Sequence, residues 1–327
     1  MLGYFEEQVK KAVERAAERK KLKLYGMVAA ACVLLYVLIQ NVLSFPLMLE
    51  PLRSLYLGSM EFQKVVDIVF SIIGLLVPFA LGGIILHKKK VLPSLALGRP
   101  NSFPLMFSSV PFGFFICLVA NYITSLLVAF TQTSGVELSS PDFSAPQTLL
   151  GRILYVVSVA IVPPLVEEFA VRGVVMQPLR RYGDRFAIFV SAFIFGIMHG
   201  NLIQAPFAFI SGLGMGYAVC LTNSIWTGVL IHFCNNFYSV MVDIMISEIP
   251  DEALVNKIFL ILQVVLFALS IAGSVVFAFV RRKRRIEPAQ IQFRLGSKIK
   301  AYFLNVPMII AVLVMLSIII QYVNPIE

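Results

Sequence analysis

The sequence predicts an all-α, polytopic integral membrane helical bundle of about eight or nine transmembrane helices. Hydrophobic residues make up 59% of its 327 residues and charged residues 14%, and the mean hydropathy is +0.87. The apolar residues form long runs, and the charges lie between those runs. About 20 apolar residues cross a bilayer as one helix, so this pattern is typical of a membrane protein.

The first 24 residues are highly charged and predict a cytoplasmic helix outside the bilayer. Glu6 with Lys10, and Glu7 with Lys11, stand at the i,i+4 spacing that stabilises a helix. A cleavable signal peptide would lack this charge pattern, so none is predicted. We expect residues 25–327 to form a single transmembrane domain with its polar core at about 148–247.

Nine hydrophobic segments are candidates for the spans. The fifth is short, and the sixth contains glycines and a serine, so this pair could be partly re-entrant. The segments are 25–44, 65–86, 105–130, 148–176, 186–200, 203–222, 224–247, 257–280 and 304–323.

The loop charges predict the orientation. Lysine and arginine mark cytoplasmic loops, which explains the net charge of +9 without nucleic-acid binding. With a cytoplasmic N-terminus, the basic clusters fall in cytoplasmic loops and the C-terminus is external. The basic clusters are Lys88–Lys90, Arg180 with Arg181 and Arg185, and Arg281–Arg285; the external acids are Glu137, Asp142, Glu248, Asp251 and Glu252.

The fourth span contains two adjacent carboxylates, Glu167 and Glu168, followed by Arg172. An ionisable group inside a bilayer costs about 2.5–3.5 kcal/mol, so its presence indicates a functional or structural role. Glu168 and Arg172 have the i,i+4 spacing of an ion pair. Adjacent helical residues point about 100° apart, so we expect the two glutamates not to face one partner and Glu167 to be free for chemistry.

Two further spans contribute polar groups at a similar depth. His199 ends the fifth segment, and His232 and Asn236 share one face of the seventh. Measured at 1.5 Å per residue, these groups and Glu167 lie in the middle to cytoplasmic part of the membrane. This depth suggests that a substrate enters from the cytoplasmic side or laterally.

This combination of side chains suits hydrolysis. A carboxylate beside a histidine can activate a water, and a histidine with an asparagine can donate hydrogen bonds to an oxyanion. Alternatively, Glu167, His199 and His232 could bind a divalent metal such as Zn²⁺. Each motif alone could also be structural, because buried histidines and ion pairs often only join helices.

The sequence resembles the CAAX-processing and bacteriocin-processing intramembrane proteases, which include the type II CAAX prenyl endopeptidases. The family pattern is E-E-x-x-x-R, F-x-x-x-H and H-x-x-x-N/D on successive helices. In this chain the pattern falls on Glu167-Glu168 to Arg172, Phe195 to His199, and His232 to Asn236, and the resemblance covers about residues 150–245.

The resemblance implies an intramembrane endopeptidase of metalloprotease or glutamate type. It implies that Glu167 and His199 activate water and that His232 and Asn236 stabilise the oxyanion, while Glu168 and Arg172 support the site. Its partners would be the lipid bilayer and a peptide or protein substrate, either lipid-modified or a peptide precursor, in a bacterial plasma membrane. The alternatives are a non-catalytic scaffold for bacteriocin immunity or peptide export, and an ion-coupled transporter.

Overall fold

The structure is a computed structural model that describes residues 2–141, 144–291 and 293–325, with side chains described from residue 6. The predicted fold class is confirmed. Among these described residues, seven helical segments are long and apolar enough to cross a membrane, and the count is eight if one bent pair is a single span. The spans are Glu6–Met48, Met60–Lys88, Phe103–Thr133, Leu149–Tyr182, Gln204–Thr222, Ile225–Glu248 and Glu252–Lys283, with the bent pair Leu295–Phe303 and Val306–Ile320.

The helices are numbered in chain order, and short π-helical stretches interrupt two of the spans. The α-helices are α1 (Leu2–Ser44), α2 (Leu52–Gly58), α3 (Met60–Val69), α4 (Val77–Lys88), α5 (Phe103–Thr133), α6 (Leu149–Tyr155), α7 (Val162–Glu168), α8 (Gln177–Leu179), α9 (Asp184–Met198), α10 (Gln204–Thr222), α11 (Ile225–Glu248), α12 (Glu252–Val280), α13 (Leu295–Phe303) and α14 (Val306–Ile320). The π-helices are π1 (Phe70–Leu76), π2 (Val156–Ile161) and π3 (Phe169–Met176), and the strands are β1 (Val136–Leu138) and β2 (Val323–Pro325).

The first helix continues without a break through the boundary that the charges suggested at residue 24. It has 43 residues, or about 65 Å at 1.5 Å per residue, which is longer than a bilayer needs. Residues 6–17 are all exposed, whereas Leu22 and Tyr25 are buried in the bundle. The charged helix is therefore an extension of the first span that projects from the bundle.

The basic clusters meet at one end of the bundle, which we call the basic end (86–101, 180–185, 222–226 and 281–294). Arg180 bonds to Asp184 and to Asn223, and Ser224 donates to the carbonyl of Gly98. The backbone N–H of Asp184 donates to the carbonyl of Glu287. The predicted alternation of spans requires all three basic clusters to lie at the same end of the bundle, as they do here.

The opposite end of the bundle (44–60, 133–141, 144–148, 243–252 and 320–325) is also joined by polar contacts. Strand β1 pairs antiparallel with β2, which places the last described residues at this end. Thr148 bonds to Glu61, and Arg152 forms an ion pair with Glu248. Asp142, which we assigned to the same loop as Glu137, lies outside the described residues.

Helices α9 and α10 form a hairpin that enters and leaves at the basic end. Arg180 contacts Asp184 at the start of α9 and Asn223 just after α10, so both ends of the hairpin lie together. Helix α9 has 15 residues, or about 22 Å, too short to cross the bilayer. Helix α9 is therefore not among the candidate spans of the described residues, which agrees with the expectation that the fifth segment could be partly re-entrant.

Glycines allow this hairpin to pack closely. A Cβ at Gly196 in α9 would lie 2.9 Å from the carbonyl oxygen of Ala205, and one at Gly212 in α10 would lie 3.3 Å from Ala192. Small residues at such positions let helix backbones approach each other inside a membrane. The close packing fixes the turn at 199–203, where His199 lies.

Candidate active site

A cavity of about 920 Å³ lies inside the bundle, and all four of the predicted catalytic side chains line it. They come from three separate elements: Glu167 from α7, His199 from the end of α9, and His232 and Asn236 from α11. The convergence that we inferred from their depths is present in the structure.

The predicted Glu168–Arg172 ion pair forms the buried wall of this site. Arg172 Nη1 lies 3.0 Å from Glu168 Oε1, and both side chains are completely buried. The guanidinium also stacks over the ring of Phe195 at 4.4 Å and donates through Nη2 to the carbonyl of Gly212 at 3.4 Å. Because each charge faces its counter-charge, the pair can exist in an environment that excludes isolated ions.

His232 lies between the two glutamates. Its Nδ1 is 3.4 Å from Glu168 Oε1, and its Nε2 is 3.8 Å from Glu167 Oε2. The expectation that the adjacent carboxylates would not face one partner is therefore wrong. An imidazole presents two nitrogens on different edges, so each glutamate approaches its own nitrogen although the two side chains leave the helix in different directions.

Gly228 makes room for this arrangement and was not predicted from the sequence. It precedes His232 by one turn of α11, and a Cβ at this position would overlap Oε2 of Glu168. The missing side chain lets the carboxylate press against the α11 backbone. Motif spacing could not predict a role for Gly228, because that role depends on a contact between two different spans.

His199 is held by the last turn of its own helix. Its Nδ1 lies 2.8 Å from the carbonyl oxygen of Phe195. A carbonyl can only accept a hydrogen bond, so Nδ1 carries the proton, and in the neutral ring Nε2 keeps a lone pair. The Phe195 ring meets both imidazoles edge-on, at centroid distances of 4.9 Å to His199 and 5.8 Å to His232.

The turn after His199 is closed by Gly200 and Asn201, which the sequence analysis did not single out. Gly200 has φ +71°, a conformation that favours glycine. Asn201 is fully buried, accepts from the backbone N–H groups of Ile203 and Gln204, and donates to the carbonyl of His199. These bonds satisfy the helix start and hold His199 at the cavity wall.

The amide of Asn236 is already engaged. Its Nδ2 donates to the backbone carbonyl of Val159 in π2 at 2.9 Å, and its Oδ1 accepts from Asn235 at 3.1 Å. An amide nitrogen has two N–H groups, so one remains for a ligand. Asn236 thus links α11 to the fourth span at the same time as it lines the cavity.

The donor set of Glu167, His199 and His232 has the chemistry of a zinc site, but its placement does not fit one. Among the described residues, no group of three or more His, Cys, Asp or Glu side chains is arranged to hold a metal ion. His232 Nε2 and Glu167 Oε2 do approach each other, but His199 does not complete the group. We therefore derive no step that passes through a metal.

The polar lining of the cavity extends away from the basic end. Along α5 and α11, the lining residues Cys117, Thr124 and His232 are buried, whereas several polar lining residues toward the opposite end are exposed. These exposed polar residues are Asn121, Ser125, Gln132 and Ser239. The cavity therefore has exposed polar lining on its side toward the opposite end, and the cytoplasmic or lateral entrance that depth suggested stays a prediction.

Comparison with known families supports the resemblance. Residues 149–238 match the family described as Type II CAAX prenyl endopeptidase Rce1-like. This range contains the four cavity-lining candidates and the Glu168–Arg172 pair. Comparisons with curated proteins and with solved structures gave no match. The chain is thus an α-helical membrane protein whose resemblance to the CAAX-processing and bacteriocin-processing proteases is confirmed over the segment that contains the four candidate catalytic residues.

Proposed function

We propose that this protein is an intramembrane endopeptidase that hydrolyses peptide bonds of membrane-associated peptides or proteins with a water activated by Glu167 and His199. The observation that carries the proposal is the cavity lined by Glu167, His199, His232 and Asn236 inside a bundle of apolar helices, with Glu168 buried against His232. Charged groups are costly there, and a structural role does not account for a polar cavity around them.

The first step is the attack of water on the peptide carbonyl. Glu167 is the more exposed of the two glutamates, at 23%, and its carboxylate takes the proton of the attacking water. His199 offers the lone pair of Nε2 on the same cavity and orients that water. The water oxygen bonds to the carbonyl carbon, and the carbonyl oxygen becomes an oxyanion.

The second step is the collapse of the tetrahedral intermediate. His232 and the remaining N–H of Asn236 donate hydrogen bonds to the oxyanion, and preorganised donors of this kind stabilise the transition state. Glu167 then passes its proton to the leaving nitrogen as the C–N bond breaks. The products are a carboxylic acid and an amine, the acid passes its proton to the amine, and the side chains return to their starting state.

Glu168 and Arg172 have a supporting role in this proposal. Their charges balance each other, and Glu168 also faces Nδ1 of His232 at 3.4 Å. The carboxylate therefore faces Nδ1 and helps to fix the orientation of the ring beside Glu167. Neither side chain is exposed to a substrate, which suits a positioning function.

The orientation in the membrane follows from the charges. The basic end faces the cytoplasm by the positive-inside rule, and a bacterial plasma membrane is the membrane that we propose. The substrate is a peptide precursor or a lipid-modified protein, and its scissile bond reaches the site through the bilayer or along the exposed polar lining of the cavity.

The function can be tested by comparing the peptides of membranes that contain the wild-type protein, the Glu167→Ala variant or neither. We expect a set of cleaved peptides that depends on the wild-type protein and disappears in the variant, while the variant still accumulates in the membrane. If Glu167→Ala restores the wild-type peptide pattern and the deletion phenotype, the protein acts as a scaffold and the peptidase proposal is wrong.

Metal dependence has a separate test on the purified protein in lipid vesicles. Because the described residues form no metal-holding group, we expect cleavage to persist after treatment with a chelator. Loss of cleavage, with restoration by Zn²⁺, would contradict this expectation and favour the metalloprotease type.

A further inference from the structure

The backbone carbonyl of Val159 cannot be satisfied by its own helix. In an α-helix its donor would be the N–H of residue 163, and in a π-helix that of residue 164. Both of these residues are prolines, which have no N–H. The next donor back, the N–H of Val162, is directed to Val157.

The missing donor comes from another span. Asn236 Nδ2 in α11 lies 2.9 Å from the Val159 oxygen and donates to it. The Asn236 side chain is held in this orientation from its other side, because its Oδ1 accepts from Asn235. A carbonyl that is left unpaired inside a membrane costs several kcal/mol, so this bond replaces a helix bond that the prolines remove.

We propose that Asn236, besides offering its second N–H to the oxyanion, is a positioning residue that, through Val159, fixes the fourth span against α11 and thereby sets the distance between Glu167 and His232. Two contacts join the same two elements. One is the bond from Asn236 to Val159 at 2.9 Å, and the other is the approach of His232 to Glu167 at 3.8 Å. The proline pair lies between Val159 and Glu167 in the chain, where the helix is weakest.

This role places a chemical requirement on residue 236. The side chain must donate to a carbonyl oxygen, which asparagine can do and an ionised aspartate cannot. Aspartate would bring a negative charge against the Val159 oxygen. The requirement depends on the prolines, because an N–H at residue 163 would satisfy the carbonyl from within the helix.

The test asks whether a backbone N–H restored at residue 163 can replace the hydrogen bond from Asn236. Pro163→Ala supplies the missing N–H, so it should reduce the effect of Asn236→Ala. We expect Asn236→Ala alone to lower the apparent melting temperature in detergent and to lower kcat by about tenfold or more, because it leaves a buried acceptor unpaired. In the Pro163→Ala background, the same change should lower the melting temperature much less and should lower kcat by a smaller factor, with the lost oxyanion hydrogen bond as the remainder, whereas KM should change little.

Three further variants serve as a control and as additional tests of the rescue. Pro111→Ala removes a proline from the interior of α5, far from Val159 in the chain, and should rescue nothing. If Pro163→Ala does not fold, Pro164→Ala supplies the π-register donor instead. Asn236→Asp should resemble Asn236→Ala with the prolines present and improve when either proline is replaced.

The two measurements separate this inference from the proposed function. Only the kcat measurement depends on the proposed function; the melting temperature does not. If Pro163→Ala/Asn236→Ala has the same low melting temperature and the same low kcat as Asn236→Ala, then Asn236 does not position the site and the inference is overturned. The melting temperatures need no substrate. A wild-type protein without peptidase activity would therefore contradict the proposed function and leave the thermal rescue to decide the inference.

Discussion

At one end of the cavity, which we call the closed end, Glu168 is buried and contacts both Arg172 and His232, which are also buried. At the open end, Asn121, Ser125 and Ser239 are exposed polar residues on two helices. The closed end keeps charges together where water is excluded, so the removal of one member leaves another unpaired. The polar side chains at the open end can form hydrogen bonds with water or with a substrate, which suits the passage of a substrate.

The largest difference in stability should appear between the two adjacent glutamates. Glu168→Ala should lower the free energy of unfolding by about 3–5 kcal/mol, because it leaves the buried Arg172 cation without its counter-charge. Glu167→Ala should change it far less, since Glu167 is 23% exposed and its contact at 3.8 Å is loose. Denaturation in mixed micelles would measure both values.

The matched control for this prediction is the double variant Glu168→Ala/Arg172→Met, which removes both charges. It should recover much of the lost stability, because an apolar pair leaves no unpaired ion. Equal stability of Glu168→Ala and the wild type would show that the closed end does not depend on this ion pair.

A smaller loss is expected when the closed end is overpacked. Gly228→Ala adds a methyl group where Oε2 of Glu168 lies, and overpacking of this kind costs about 1–3 kcal/mol. Gly296→Ala in α13 is the control, because nothing lies near its added Cβ and alanine favours a helix. Similar unfolding curves for the two variants would contradict the close contact between α7 and α11.

The smallest effect is predicted at the open end. Ser125→Ala and Ser239→Ala should each change the free energy of unfolding by less than about 0.5 kcal/mol, because both side chains are exposed to the cavity. Any effect on cleavage should fall on KM, since these residues lie away from the reacting groups. A large loss of kcat in either variant would remove the distinction between the two ends.

The sequence predicts those features that depend on residues within one helix. The ion pair of Glu168 with Arg172 follows from i,i+4 spacing, and the common level of the polar groups follows from the rise per residue. The approximate number of spans follows from the apolar runs. Each of these signals can be read along the chain without knowledge of which helices are neighbours.

The features that the sequence did not predict arise from contacts between helices. Gly228 matters because Glu168 comes from another span, and Asn236 is required at Val159 because of two prolines far away in the chain. The meeting of both glutamates at His232 also depends on how α7 and α11 face each other. Periodicity and motif spacing contain no information on these distances.

The most direct test of the account is the cleavage rate of purified protein in lipid vesicles, measured for the wild type, Glu167→Gln and Glu137→Gln. Glu137 is exposed in β1, so its variant controls for the loss of one carboxylate. General-base catalysis contributes about 10²–10⁴-fold, and we predict a loss of this size for Glu167→Gln and none for Glu137→Gln. Equal rates for Glu167→Gln and the wild type would contradict the assignment of this cavity as a peptidase site.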